Sequence, residues 1–81
     1  MSHYEAYQNR SASEPVGQYI RNLRHAYGWS LQELSNRCQG MLTKSRISNY
    51  EQGIRQPKVD AAAILADAFG VTPAQILRIE D

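Results

Sequence analysis

Residues 43 to 52, TKSRISNYEQ, gather side chains that can hydrogen-bond the edges of nucleic-acid bases. Asn49 offers the paired donor and acceptor that match adenine, Lys44 can reach O6 and N7 of guanine, and the hydroxyls of Ser45 and Ser48 can bond several bases. Arg46 lies at the flank, where a phosphate or a guanine is within reach, and we place it among the phosphate candidates. Arg55 and Lys58 follow in the next loop and suit phosphates, which position a protein on a duplex without reporting its sequence. This is the chemistry of groove recognition. The chemistry of bond breaking has no comparable set of residues. There is no nucleophile–base pair, phosphate-cradling glycine loop or metal cluster, and Asp60 and Asp67 have no acid–base partner, so we expect no enzyme.

Recognition of this kind needs a rigid mount, and the same ten residues contain half of one. At about 100° per residue, Ile47, Tyr50 and Glu51 fall on one side of a helix, with Ile54 continuing that side beyond Gly53. Ser45, Ser48, Asn49 and Gln52 fall on the other. A carboxylate on the apolar side requires a cation, because an unpaired buried charge is strongly unfavourable. Arg24, on the inner flank of the preceding apolar helix, is the best candidate, and we expect a largely buried Arg24–Glu51 salt bridge of structural purpose.

The rest of the chain supplies the frame. Ser13 can cap a first helix that tolerates Pro15 in its first turn, repeats Val16, Ile20, Leu23 and Tyr27 at helical spacing, and stops at Gly28. Ser30 and Glu33 make a capping box for a second helix, with Trp29 able to staple onto Leu34, Leu34 and Cys38 inward, and Gly40 at its end. Thr43 caps the third helix, which reaches about Gln52, and a loop punctuated by Pro57 follows. The fourth, from about Lys58, is expected to bury Val59, Ala62, Leu65, Ala66 and Phe69 before Gly70. Thr72, Pro73 and Gln75 then form a second capping box, and the fifth helix fades near Ile79. No segment alternates with period two, so the expected class is all-α, a compact five-helix bundle. Residues 1 to 12 are expected to be a flexible tail and 13 to 81 the domain. The backbone donors at the helix starts marked by Ser30 and Thr43 add two candidate phosphate sites.

Charge is divided along the chain. Residues 42 to 58 hold Lys44, Arg46, Arg55 and Lys58 against Glu51, whereas 59 to 81 hold Arg78 against Asp60, Asp67, Glu80 and Asp81. One basic and one acidic face result, although the net charge is only +1. Cys38 is the single cysteine and is expected to be a small buried hydrophobe. His3 and His25 have no partners at metal spacing, so neither a metal nor a cofactor is expected. With no apolar run that could span a membrane and no secretory leader at the start, the expected compartment is the cytoplasm.

The succession VGQYIRNLR, WSLQEL, SRISNYEQG with a loop ending in Pro57, and LADAFGVTPAQIL resembles the Cro/repressor-type, Xre-like helix-turn-helix family, over about Val16 to Leu77. That resemblance implies five helices, the third in the major groove, an arginine–glutamate pair matching Arg24 and Glu51, and operator binding as a dimer. Two departures stand out. The family commonly has a phosphate-clamping glutamine directly after the cap of the second helix, where this chain has Leu31. Gln32 comes next, and either substitutes or leaves the clamp missing. The turn between the second and third helices is about two residues longer than usual, and Ser35 replaces the usual alanine, a small-for-small change.

The expected function is sequence-specific binding of a double-stranded DNA operator, as a transcriptional repressor and as a homodimer. The alternative is a protein-interaction module on the same fold, such as an antitoxin or a transcriptional adaptor. Ile76, Leu77 and Ile79 cannot all point into one small core, so one or two of them either cap it or form a dimer seam.

Overall fold

A computed structural model describes residues 14–79, and among these the chain is all-helical, with no strand. Five helices follow in order: α1 (Val16–Ala26), α2 (Leu31–Arg37), α3 (Lys44–Glu51), α4 (Val59–Phe69) and α5 (Pro73–Leu77). The expected tail and the Ser13 cap fall outside the described residues. At the start of α1 the N-cap position is held by Pro15, which makes no side-chain capping bond.

The other starts are strongly specified. Ser30 Oγ accepts from the Glu33 backbone N–H while Glu33 returns its carboxylate to the Ser30 N–H, and Thr72 and Gln75 repeat the arrangement before α5. Thr43 Oγ1 accepts from the Arg46 N–H and starts α3. α4 ends at Gly70, whose φ of +76° favours glycine.

The core joins Tyr19 and Ile20 of α1, Leu34 of α2, Ile47 and Tyr50 of α3, Leu65 and Phe69 of α4 and Ile76 of α5, with Cys38 and Leu42 from the turn between α2 and α3. Burial pushes the Cys38 thiol up to about 11, as expected of a sulfur treated as a small hydrophobe. Trp29 stacks on Tyr27 with centroids 4.4 Å apart and on Phe69 at 5.7 Å, and Tyr27 donates its hydroxyl to the Phe69 carbonyl at 2.6 Å. This aromatic stack joins the end of α1 to the end of α4. Arg37 covers the Trp29 ring at 4.4 Å, a cation–π contact from the last turn of α2.

Two apolar assignments are corrected. Val59 is 71 % exposed and Ile54 is 67 % exposed. Val59 opens α4, where no preceding helical turn or neighbouring helix covers it, and burial in α4 falls on Ala61, Ala62, Leu65, Ala66 and Phe69. Ile54 follows Gly53, whose φ of +78° takes the chain out of the helix. The 100° rotation that placed Ile54 on the inner side therefore ends one residue earlier. At the last helix, Ile76 is fully buried, Leu77 is half-buried and Ile79 is exposed.

Candidate nucleic-acid interface

The mount of α3 is strongest at its C-terminal end. Glu51, whose side chain is 3 % exposed, accepts from Arg24 Nε at 2.7 Å and from Arg24 Nη2 at 2.9 Å, a two-pronged pairing of guanidinium and carboxylate. Arg24 uses Nη1 on the Trp29 carbonyl at 2.9 Å, which directs its fork. The bond to Glu51 raises the Arg24 pKa above its ordinary value. Arg21 adds a longer contact to Glu51 Oε1 at 3.4 Å from a more exposed position. Arg21 and Arg24 sit one turn apart on α1, so both can address one carboxylate.

Gly17 completes the same clamp. A Cβ at this position would stand 2.3 Å from the Tyr50 carbonyl oxygen and 2.7 Å from that of Glu51. The first turn of α1 therefore lies directly against the backbone that ends α3, an approach only glycine permits. Sequence reasoning missed both Gly17 and Arg21. Their spacing with Arg24, at i, i+4 and i+7, puts all three on one side of α1, but it does not show what that side meets.

The outward side of α3 carries the candidate reading residues. Lys44, Ser45 and Arg46 are exposed, and Ser48 and Asn49 are half-buried. Ser48 Oγ accepts from Gln52 Nε2 at 2.8 Å, so a base that bonded Ser48 would share or displace Gln52. The Asn49 backbone carbonyl accepts from the N–H groups of Ile54 at 2.9 Å and Arg55 at 3.2 Å. That bifurcated closure folds the loop back on α3 and brings the exposed Arg55 to the end of the helix. Lys58, also exposed, occupies the N-cap position of α4.

Three candidate phosphate positions are already partly occupied. Glu33 Oε1 accepts the Ser30 N–H at 2.8 Å, and that bond, with the one from the Ser30 side chain, holds the Glu33 carboxyl below its ordinary pKa. An incoming phosphate would meet a carboxylate at this cap. Gln32 is exposed and donates Nε2 to Asn36 Oδ1 at 3.1 Å. Thr43 is exposed and uses its hydroxyl as the α3 cap.

Comparison with known proteins agrees with this geometry. The profile of a family described as a helix-turn-helix domain matches residues 15–79. The HTH-type transcriptional regulator AnsR of Bacillus subtilis (strain 168) is 36 % identical over 58 residues, which cover 72 % of this chain and 48 % of that protein. The chain thus spans about half the length of the curated relative it matches. No solved structure gives a significant match. With α2 and α3 packed against each other, α3 braced from behind by α1, and a family profile covering nearly all of the described residues, the chain belongs to the helix-turn-helix domain family, in the Xre-like form that its sequence resembles.

Proposed function

We propose that this chain binds double-stranded DNA and regulates transcription, with α3 lying in the major groove. The observation that carries the reading is the asymmetry of α3. Its buried side is locked by Ile47, Tyr50 and the Glu51–Arg24 pair, and its outward side presents Lys44, Ser45 and Arg46, with Ser48 and Asn49 beside them. A rigid helix with polar and basic groups outward meets what a major groove requires of its reader. Lys44, Ser45, Ser48 and Asn49 take the base edges, while Arg46, Arg55 and Lys58 take phosphates, joined by Gln32 and the cap at Thr43, and more weakly by the cap at Ser30, where the Glu33 carboxylate must give way. The relation to a protein described as a transcriptional regulator supports the regulatory part. Repression by occupying an operator is the simplest mode for such a domain. A homodimer would set two half-sites roughly 34 Å apart, one turn of duplex. None of the described helices is long and apolar enough to cross a membrane, and we assign the protein to the cytoplasm, with its DNA.

The test is a pair of substitutions measured on duplex DNA selected by the wild-type chain. Asn49→Ala should cost roughly 1–3 kcal/mol and relax preference at one base position. Lys58→Ala should weaken binding to all sequences alike and reduce the salt slope by about one. If both variants bind as the wild type does, α3 is not docked as proposed. Little duplex binding by the wild type at physiological salt would favour a protein-interaction role.

A further inference from the structure

The turn between α2 and α3 is organised around one buried hydroxyl. Ser35 is 6 % exposed, and its Oγ donates to the Leu42 carbonyl at 2.7 Å. Its own carbonyl accepts from Cys38 N at 3.1 Å and from Gly40 N at 3.2 Å. The near and far ends of the segment from Cys38 to Leu42 are thus tied to a single residue of α2. Between those ties the backbone passes through Gln39 at φ +56°, in the left-handed region that a residue with a Cβ enters reluctantly, and through Gly40 at φ +75°. Leu42 is buried in the core, and Thr43 immediately caps α3. Wherever the Ser35 hydroxyl holds Leu42, it also sets where α3 begins.

An alanine at this position would fill the same small space and could not hold the turn. Removing the donor leaves a carbonyl that was satisfied in the fold without that partner, and the turn must rearrange or admit water. The C-terminal end of α3 is fixed by Arg24, Glu51 and Gly17 and cannot follow. The helix would therefore pivot about that end, moving Lys44 and Ser45 most and Asn49 least.

We infer that Ser35 is a positioning residue for base recognition: its bond to Leu42 sets the angle at which the lengthened turn delivers α3 to the duplex. This rests on the proposed DNA-binding function and deepens it. Ser35 touches no DNA in this scheme. Its effect belongs to discrimination between sequences, and phosphate contacts from Arg55 and Lys58 at the other end should be spared.

The experiment uses the full 81-residue chain and two probes, the duplex that the wild type enriches from a random pool and a scrambled duplex of the same length. Ser35→Ala should keep its helical circular dichroism and its salt slope while the ratio of affinities for the two duplexes falls roughly tenfold, the order of one lost base contact. Ser35→Thr, which retains a hydroxyl, should recover most of that ratio. Amide residual dipolar couplings in the free protein should show a changed α2–α3 angle in Ser35→Ala. If Ser35→Ala does not fold, Ser35→Cys, of similar size but a much weaker donor, takes its place in both measurements. A variant that melts earlier yet keeps the affinity ratio and the helix angle would overturn the inference, leaving the hydroxyl a purely structural bond. If the wild type enriches no duplex, the DNA-binding reading fails, and the helix angle alone still decides whether Ser35 positions α3.

Discussion

The two ends of α3 are held by different physics. At the C-terminal end, a carboxylate buried to 3 % exposure is gripped by Arg24 and reached by Arg21, and the backbone itself is pressed against Gly17. At the N-terminal end a neutral hydroxyl, the buried Leu42 side chain and the Thr43 cap do the holding. Charge and close backbone contact hold the first end. The second rests on neutral hydrogen bonds, typically worth about 1 kcal/mol each, and on packing. On the proposed function this gives the reading helix a firm pivot and a softer tip, and the side chains nearest the tip are the exposed Lys44, Ser45 and Arg46.

The largest break should come at the pivot. Glu51→Ala leaves Arg24 buried without its carboxylate and should cost roughly 3–5 kcal/mol of stability, read by urea denaturation. A loss under 1 kcal/mol would mean that water enters and replaces the carboxylate. Gly17→Ala comes next. The added methyl meets backbone at 2.3 Å, so α1 and α3 must part. Overpacking of this kind costs about 1–3 kcal/mol, more than the helix propensity alanine restores. Both changes should also lower affinity for DNA, because they release the fixed end.

At the tip the effects are smaller. Thr43→Ala removes the α3 cap and should cost about 1 kcal/mol, seen as a modest fall in melting temperature. The smallest effect at neutral pH, one that emerges only in alkali, follows from Cys38, next to the same turn. Its folded-state pKa is raised to about 11, so in the unfolded chain the thiol loses its proton first. Stability from this group is intact below the ordinary thiol range near 9 and declines as pH rises toward 11. Cys38→Ala should flatten that part of the stability–pH curve, and a thiol reagent at neutral pH should label the native protein far more slowly than the denatured one.

How much of this was legible in the sequence differs between the two ends. The Arg24–Glu51 pairing follows from one carboxylate falling on an apolar helix side, since a buried charge demands a cation. The capping boxes follow from Ser30 with Glu33 and Thr72 with Gln75, since local hydrogen bonds depend only on spacing along the chain. Arg21 and Gly17 were missed because their roles come from the approach of α1 to α3, a tertiary contact that periodicity does not report. Val59 and Ile54 failed for related reasons. Helical phase says which way a side chain points, not whether anything covers it, and the phase itself ends at Gly53. Ser35 was read as a small residue that fits. Its hydroxyl matters only because the longer turn brings the Leu42 carbonyl above it.

The central claim is that α3 reads duplex DNA from this mount, and selection of a random duplex pool by the 81-residue chain at moderate salt tests it most directly. The account expects a recurrent motif, arranged as an inverted repeat about one helical turn apart if the chain binds as a dimer, and relaxed at one base position when Asn49 is replaced by alanine. A pool that emerges unenriched, or a motif untouched by that replacement, would contradict it.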